Sequence, residues 1–151
     1  MTLRIRIASR KSNLAIRQVE ILKEHLSKDI EINIIEVVTS ADKTLDKSLA
    51  DIGGKGLFIK ELENTILKDG ADIAVHSMKD METELAADTK IAGVLPRGSR
   101  SDVLLGQYST FDDLPDGAVI GTSSVRRGAF AKSYRPDLQI KLLRGNVGTR
   151  I

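Results

Sequence analysis

The chain has 151 residues, 41% of them hydrophobic and 29% charged, with a net charge of +2, two histidines and no cysteine. Lack of cysteine excludes disulfides, thiol nucleophiles and thiolate metal sites, and two histidines leave a zinc centre or a Ser-His-Asp triad almost nothing to draw on, so no metal is expected. Aromatic residues make up 3% and are not interleaved with basic ones, which argues against nucleic acid; no apolar run approaches the ~20 residues of a membrane span, and the N-terminus enters a strand pattern at once, so the cytoplasm is the expected compartment.

The pattern along the chain alternates strand and helix, which predicts an α/β fold. Leu3 to Ala8 reads as a strand. Asn13 to Ser27 reads as a helix, because Ala15, Val19, Leu22 and Leu26 recur at steps of four, three and four residues, and Ser12 stands where an N-cap belongs. Glu31 to Val38 is a second strand, and the polar stretch Thr39 to Gly56 is expected to be a loop. Leu57 to Lys68 is helical, with Gly70 in its C-cap region. Asp72 to Met78 lacks Gly and Pro and is mostly apolar, which predicts a strand buried on both faces of a parallel sheet.

Ile91 to Leu95 is another short strand. The turn formers and charges of 96–102 then mark a hinge, dividing the chain into domains at 1–97 and 98–151. Val103 to Leu105, Ala118 to Thr122 and Leu138 to Leu143 read as strands, and about Ser124 to Tyr134 as a helix. Asn146 looks like the N-cap of a helix that has barely begun at Ile151. A crossover helix cut off after one turn leaves a sheet face open, so the chain is expected to be incomplete, with exposed apolar surface.

Chemistry concentrates at the strand ends, where open α/β sheets hold their ligands. Lys79-Asp80 closes the third of these strands, either as a solvated loop or as a site. In Gly121-Thr122-Ser123-Ser124-Val125-Arg126-Arg127, hydroxyl residues lead into a helix whose first turn holds two arginines. Cations there oppose the helix dipole by about 0.3 to 1 kcal/mol each. A bound carboxylate or phosphate would reverse the sign of that effect; the alternative is that both side chains point into water. Arg144 and Arg150 repeat the arrangement at the next strand end, and Ser9-Arg10-Lys11-Ser12 at the first. Arginine in this number suits a ligand with several carboxylates. Gly53-Gly54-Lys55-Gly56 fails both the P-loop and the dinucleotide pattern, although Lys55 could still meet an anion. Amid these cations Asp80 is the exception, suited to a developing positive centre or an N-H group.

Taken together, Ala8 to Ser12, Gly53 to Glu61, Ala74 to Asp80, Gly121 to Arg127 and Leu143 to Arg150 resemble the porphobilinogen deaminase (hydroxymethylbilane synthase) family, in its order and spacing. The resemblance covers essentially the whole chain. It implies a transferase that condenses four porphobilinogen molecules to the linear tetrapyrrole hydroxymethylbilane, releasing ammonia each time, on the route to haem. It also implies a two-domain fold like the type II periplasmic binding proteins, with its second domain incomplete here. By resemblance Asp80 is the catalytic carboxylate, which stabilises the azafulvene-like cation formed when ammonia leaves. Arg10, Ser12, Lys55, Lys79, Arg126, Arg127, Arg144 and Arg150 would hold the acetate and propionate arms of cofactor and growing chain. Thr122, Ser123 and Ser124 would contact the cofactor, and Asp42 would lie on an active-site loop.

Met81-Glu82 departs from the family's usual Val-Pro, and Asp51 stands where some members carry lysine. The larger departure is the missing cysteine, because the family attaches its dipyrromethane cofactor covalently to one in a third domain. The fragment alone is therefore expected to be inactive, and the full-length form to be a monomer. The alternative is a non-enzymatic solute-binding or sensor domain for an organic polycarboxylate, which would share the architecture.

Overall fold

The computed structural model describes residues 2–39 and 59–151. The chain forms two compact units, residues 1–96 and 97–151.

In the first unit, β1 (Leu3–Arg10), α1 (Asn13–His25), β2 (Ile30–Val37), α2 (Lys60–Leu67) and β3 (Ile73–Ala74) follow in order. All pairings are parallel and the sheet order is β2-β1-β3. β1 lies at the centre and is buried on both faces: Ile7, Ala8 and Ser9 are all buried, and neighbouring side chains on a strand point to opposite faces. On one face Ala8 meets Leu62 of α2 and Ala71, with Ile35, Val37, Ile66 and Ala74 packed around them. α1, whose buried residues are Ala15 and Val19, also packs against β1.

Helix ends follow local chemistry. Ser12 Oγ accepts from the Ala15 N-H at 3.2 Å and starts α1 as expected. Glu61 and Glu63 sit in the first turn of α2, where the helix dipole favours negative charge. That helix ends in a Schellman motif: the Asp69 N-H donates to Ile66 O at 2.9 Å and the Gly70 N-H to Thr65 O at 2.8 Å. The left-handed residue is Asp69, with φ of 56°, rather than glycine. Gly70 is needed for another reason, since a Cβ there would lie 3.0 Å from Thr65 Cγ2 and 3.1 Å from Thr65 O.

Asp69 is held by Arg6 of β1, whose guanidinium donates to the Asp69 carbonyl at 2.6 Å, to Asp69 Oδ1 at 2.7 Å and to Asp72 Oδ1 at 2.7 Å. The Arg6 backbone N-H donates to Asp72 Oδ2 at 2.7 Å, so one residue fixes the entry into β3. These bonds, the side-chain one foremost, hold the Asp72 carboxyl below its ordinary range. A depressed carboxyl contributes stability above its unfolded value, near 3.9, and loses it as pH falls through the lower folded value. Arg6→Gln is therefore expected to be less stable than wild type at neutral pH, with the gap closing as pH falls below the unfolded value near 3.9; circular dichroism during acid titration measures both.

The third strand corrects an expectation. Asp72 to Met78 was to be a strand buried on both faces, but the ladder covers only Ile73–Ala74; Asp72 is exposed and 73–77 are half-buried. Pairing ends with the Val75 N-H on Ala8 O at 3.2 Å, after which the chain departs from β1 and Met78–Asp80 forms a single 3-10 turn. Likewise 91–95 and 103–105 are not strands: they have no ladder partner among the described residues, and Val94, Val103 and Leu105 are largely exposed.

In the second unit, β4 (Val119–Gly121) and β5 (Gln139–Lys141) pair in parallel, with α3 (Val125–Tyr134) between them and α4 (Val147–Arg150) after them. Both strands are shorter than expected from the apolar runs. Arg135 ties the preceding loop to the start of β5: Nη1 donates to Phe111 O at 3.0 Å, while Nε and Nη2 grip Asp137 bidentately at 2.8 Å each. Asp137 also accepts from the Gly117 N-H at 2.9 Å, at a turn where φ is 71° and glycine is required.

Candidate active site

Parallel strands end on the same edge, so the topology gathers the residues that follow β1 and β3. In the first unit Arg10 closes β1, Ser12 caps α1, and Lys79 and Asp80 occupy the turn just beyond β3. Lys79 and Asp80 are both exposed. The Ser12 hydroxyl oxygen is engaged by the Ala15 N-H, but its proton can still be donated outward. His76 lies half-buried before the turn; burial pushes its imidazole pKa down, and the negative charge of Asp80 pulls it back up. Asp42 and Lys55 lie outside the described residues.

In the second unit the ends of β4 and β5 are adjacent. Thr122 Oγ1 accepts from the Ser124 N-H at 3.1 Å, and Ser124 Oγ accepts from the Arg127 N-H at 3.3 Å, so Ser124 caps α3 and Thr122 braces the cap residue. Each keeps its own proton for an acceptor beyond the helix. Ser123 and Arg126 are exposed. Gly121 allows the two strand ends to close together, because a Cβ there would fall 2.9 Å from Leu143 Cδ2.

Arg127 shows what the sequence did not reveal. Its Nε donates to Asp102 Oδ1 at 2.9 Å and Nη2 reaches the same oxygen, which raises the guanidinium pKa. Part of the unfavourable charge at the start of α3 is thus offset by a carboxylate of the same unit, 25 residues earlier in a stretch read as hinge. No periodicity or motif marks Asp102.

Arg144 follows β5 and is half-buried; its Nη1 is buried and has no hydrogen-bond partner among the described residues. A buried guanidinium N-H without an acceptor is costly, by roughly 1 to 3 kcal/mol, and is the kind of group a bound anion would satisfy. Arg150, at the end of the four-residue α4, is exposed. Gln18 also escaped the sequence reading: from α1 its Nε2 donates to Ser77 Oγ at 2.7 Å, just before the turn that carries Asp80.

The family model described as "porphobilinogen deaminase, dipyromethane cofactor binding domain" matches residues 5–151. The porphobilinogen deaminase of Buchnera aphidicola subsp. Acyrthosiphon pisum (strain Tuc7) is 46% identical over 151 residues, covering 97% of this chain and 48% of the relative. That of Natranaerobius thermophilus is 47% identical over 154 residues, covering 99% and 49%. The chain thus spans about half the length of the curated relatives it matches. With one family model matching from residue 5 to 151, and relatives of that name aligning along nearly all of it, the chain belongs to the porphobilinogen deaminase family.

Proposed function

We propose that this chain is the dipyrromethane-holding and condensing portion of a hydroxymethylbilane synthase, acting on porphobilinogen. The observation that carries the reading is Arg144, whose buried Nη1 has no acceptor among the described residues, at a strand end adjacent to Thr122, Ser123, Ser124, Arg126 and Arg127. A dipyrrole with acetate and propionate arms offers such acceptors, so the residues present fit the cofactor's acidic groups. When bound, the cofactor supplies the pyrrole carbon to which each new ring is joined.

The chain's own residues would do the rest. Arg126, Arg144 and Arg150 bind carboxylates, the hydroxyls of Thr122, Ser123 and Ser124 donate to them, and Arg127 joins once its pairing with Asp102 yields. Arg10, Ser12, Lys55 and Lys79 hold further arms, and Asp42 belongs to the active-site loop. Asp80, ionised, faces pyrrole N-H groups and offsets the positive charge that develops as ammonia departs. The covalent anchor has to come from outside these 151 residues, which contain no cysteine. By the same reading residues 1–97 are the first domain and 98–151 the first part of the second, in a two-domain fold of the type II periplasmic-binding kind. The full-length form would be a cytoplasmic monomer.

Titration with a synthetic dipyrromethane bearing acetate and propionate chains tests this. Arg144→Ala should weaken binding about 10- to 100-fold, the worth of a charged hydrogen bond, and a dipyrrole stripped of carboxylates should not bind. Equal affinity of wild type and Arg144→Ala would remove the reading.

A further inference from the structure

The turn that presents Lys79 and Asp80 is held in an unusual way. Ser77 occupies its N-cap position, where a serine ordinarily accepts a hydrogen bond from a backbone N-H of the turn it starts. Here the hydroxyl makes no such bond and instead accepts from Gln18 Nε2 at 2.7 Å. The turn is closed by its backbone alone, through the Asp80 N-H on Ser77 O at 2.9 Å and the Met81 N-H on Met78 O at 3.2 Å. β3 has already left the sheet, its last link being the Val75 N-H on Ala8 O. Beyond that point the Gln18 to Ser77 bond ties the turn to α1, the helix that Ser12 caps. Both partners are half-buried, which shields the bond from competing water.

We infer that Gln18 is a positioning residue for Asp80: by holding Ser77 it fixes the Met78–Asp80 turn against α1 and so sets where the Asp80 carboxylate stands. Its catalytic significance rests on the reading of Asp80 given above, while the mechanical tie does not. Asn at position 18 would be one methylene short of Ser77, and Ala would leave the hydroxyl with no partner on α1.

Hydrogen exchange of the 151-residue chain tests the tie directly. In Gln18→Ala the amides of Asp80 and Met81 should exchange about three- to tenfold faster, the worth of one hydrogen bond, with the amides of the β1 to β2 ladder unchanged. Ser77→Ala should give the same acceleration, the double variant no more than either single one, and Ser77→Thr should restore the wild-type rate. His76 gives a second readout, because it senses the charge of Asp80. Asp80→Asn should lower its pKa, and Gln18→Ala should move it the same way by a smaller step. Wild-type exchange at Asp80 together with a wild-type His76 titration in Gln18→Ala would overturn the inference. Uniform acceleration throughout β1 and β2 would also overturn it, by making Gln18 a general stability residue. Neither measurement requires a pyrrole ligand, so a failure of dipyrrole binding would strike the proposed function and leave this test standing.

Discussion

Replacing Asp80 by alanine is expected to abolish nearly all turnover while leaving the fold intact. The fold should survive because Asp80 is exposed, sits in a 3-10 turn closed by backbone bonds, and belongs to no part of the core. Turnover should collapse because losing a single preorganised group aimed at developing charge costs about 10²- to 10³-fold in kcat. The assay is ammonia release from porphobilinogen by a protein joining this chain to the second half of its Natranaerobius relative. A rate within twofold of the unmutated fusion would take the catalytic role away from Asp80.

The largest effect on stability is expected from Leu62→Ala, about 3 kcal/mol or more. Leu62 is fully buried between Ala8 and Ala71. The two buried residues that share its cluster, Ala8 and Ala71, are already small and have no side-chain freedom with which to fill the space, although Ile35, Val37 and Ile66 border it. A cavity that cannot collapse lies at the upper end of the 2 to 5 kcal/mol range for such truncations. Leu62→Met, which conserves volume, should cost less than about 1.5 kcal/mol. Urea denaturation compares the three proteins, and a Leu62→Ala midpoint equal to that of Leu62→Met would show that this cluster is not the core.

How much of this could be read from residues varies with the kind of interaction. β1, α1 and β2 were legible to within two or three residues, since their apolar spacing coincides with real ladders and a real cap at Ser12. β4 and β5 end within one or two residues of the expected positions, because a strand end and a helix start are both local signals. What failed was pairing at a distance. An apolar run such as 91–95 looks like a strand whether or not another strand lies beside it, and composition cannot say that β3 gives up after Ala74. The partnership of Arg127 with Asp102 and of Gln18 with Ser77 joins residues 25 and 59 positions apart, and neither pair leaves a periodic trace.

The end of α2 carries a further consequence. A left-handed backbone would ordinarily be given to glycine, yet position 69 is an aspartate whose carboxylate and carbonyl both meet Arg6. Two demands meet in this residue and pull in opposite directions. Glycine would relax the peptide but give up the carboxylate contact with Arg6, leaving the carbonyl and Asp72 to hold the guanidinium; a larger apolar side chain would lose that contact without relaxing the peptide. Asparagine, tolerant of the same backbone, would keep an acceptor but surrender the charge. The residue found there is the compromise that lets a helix terminus double as the fastening of a neighbouring strand, so drift at this site is constrained from two sides although the side chain itself stands almost wholly in water.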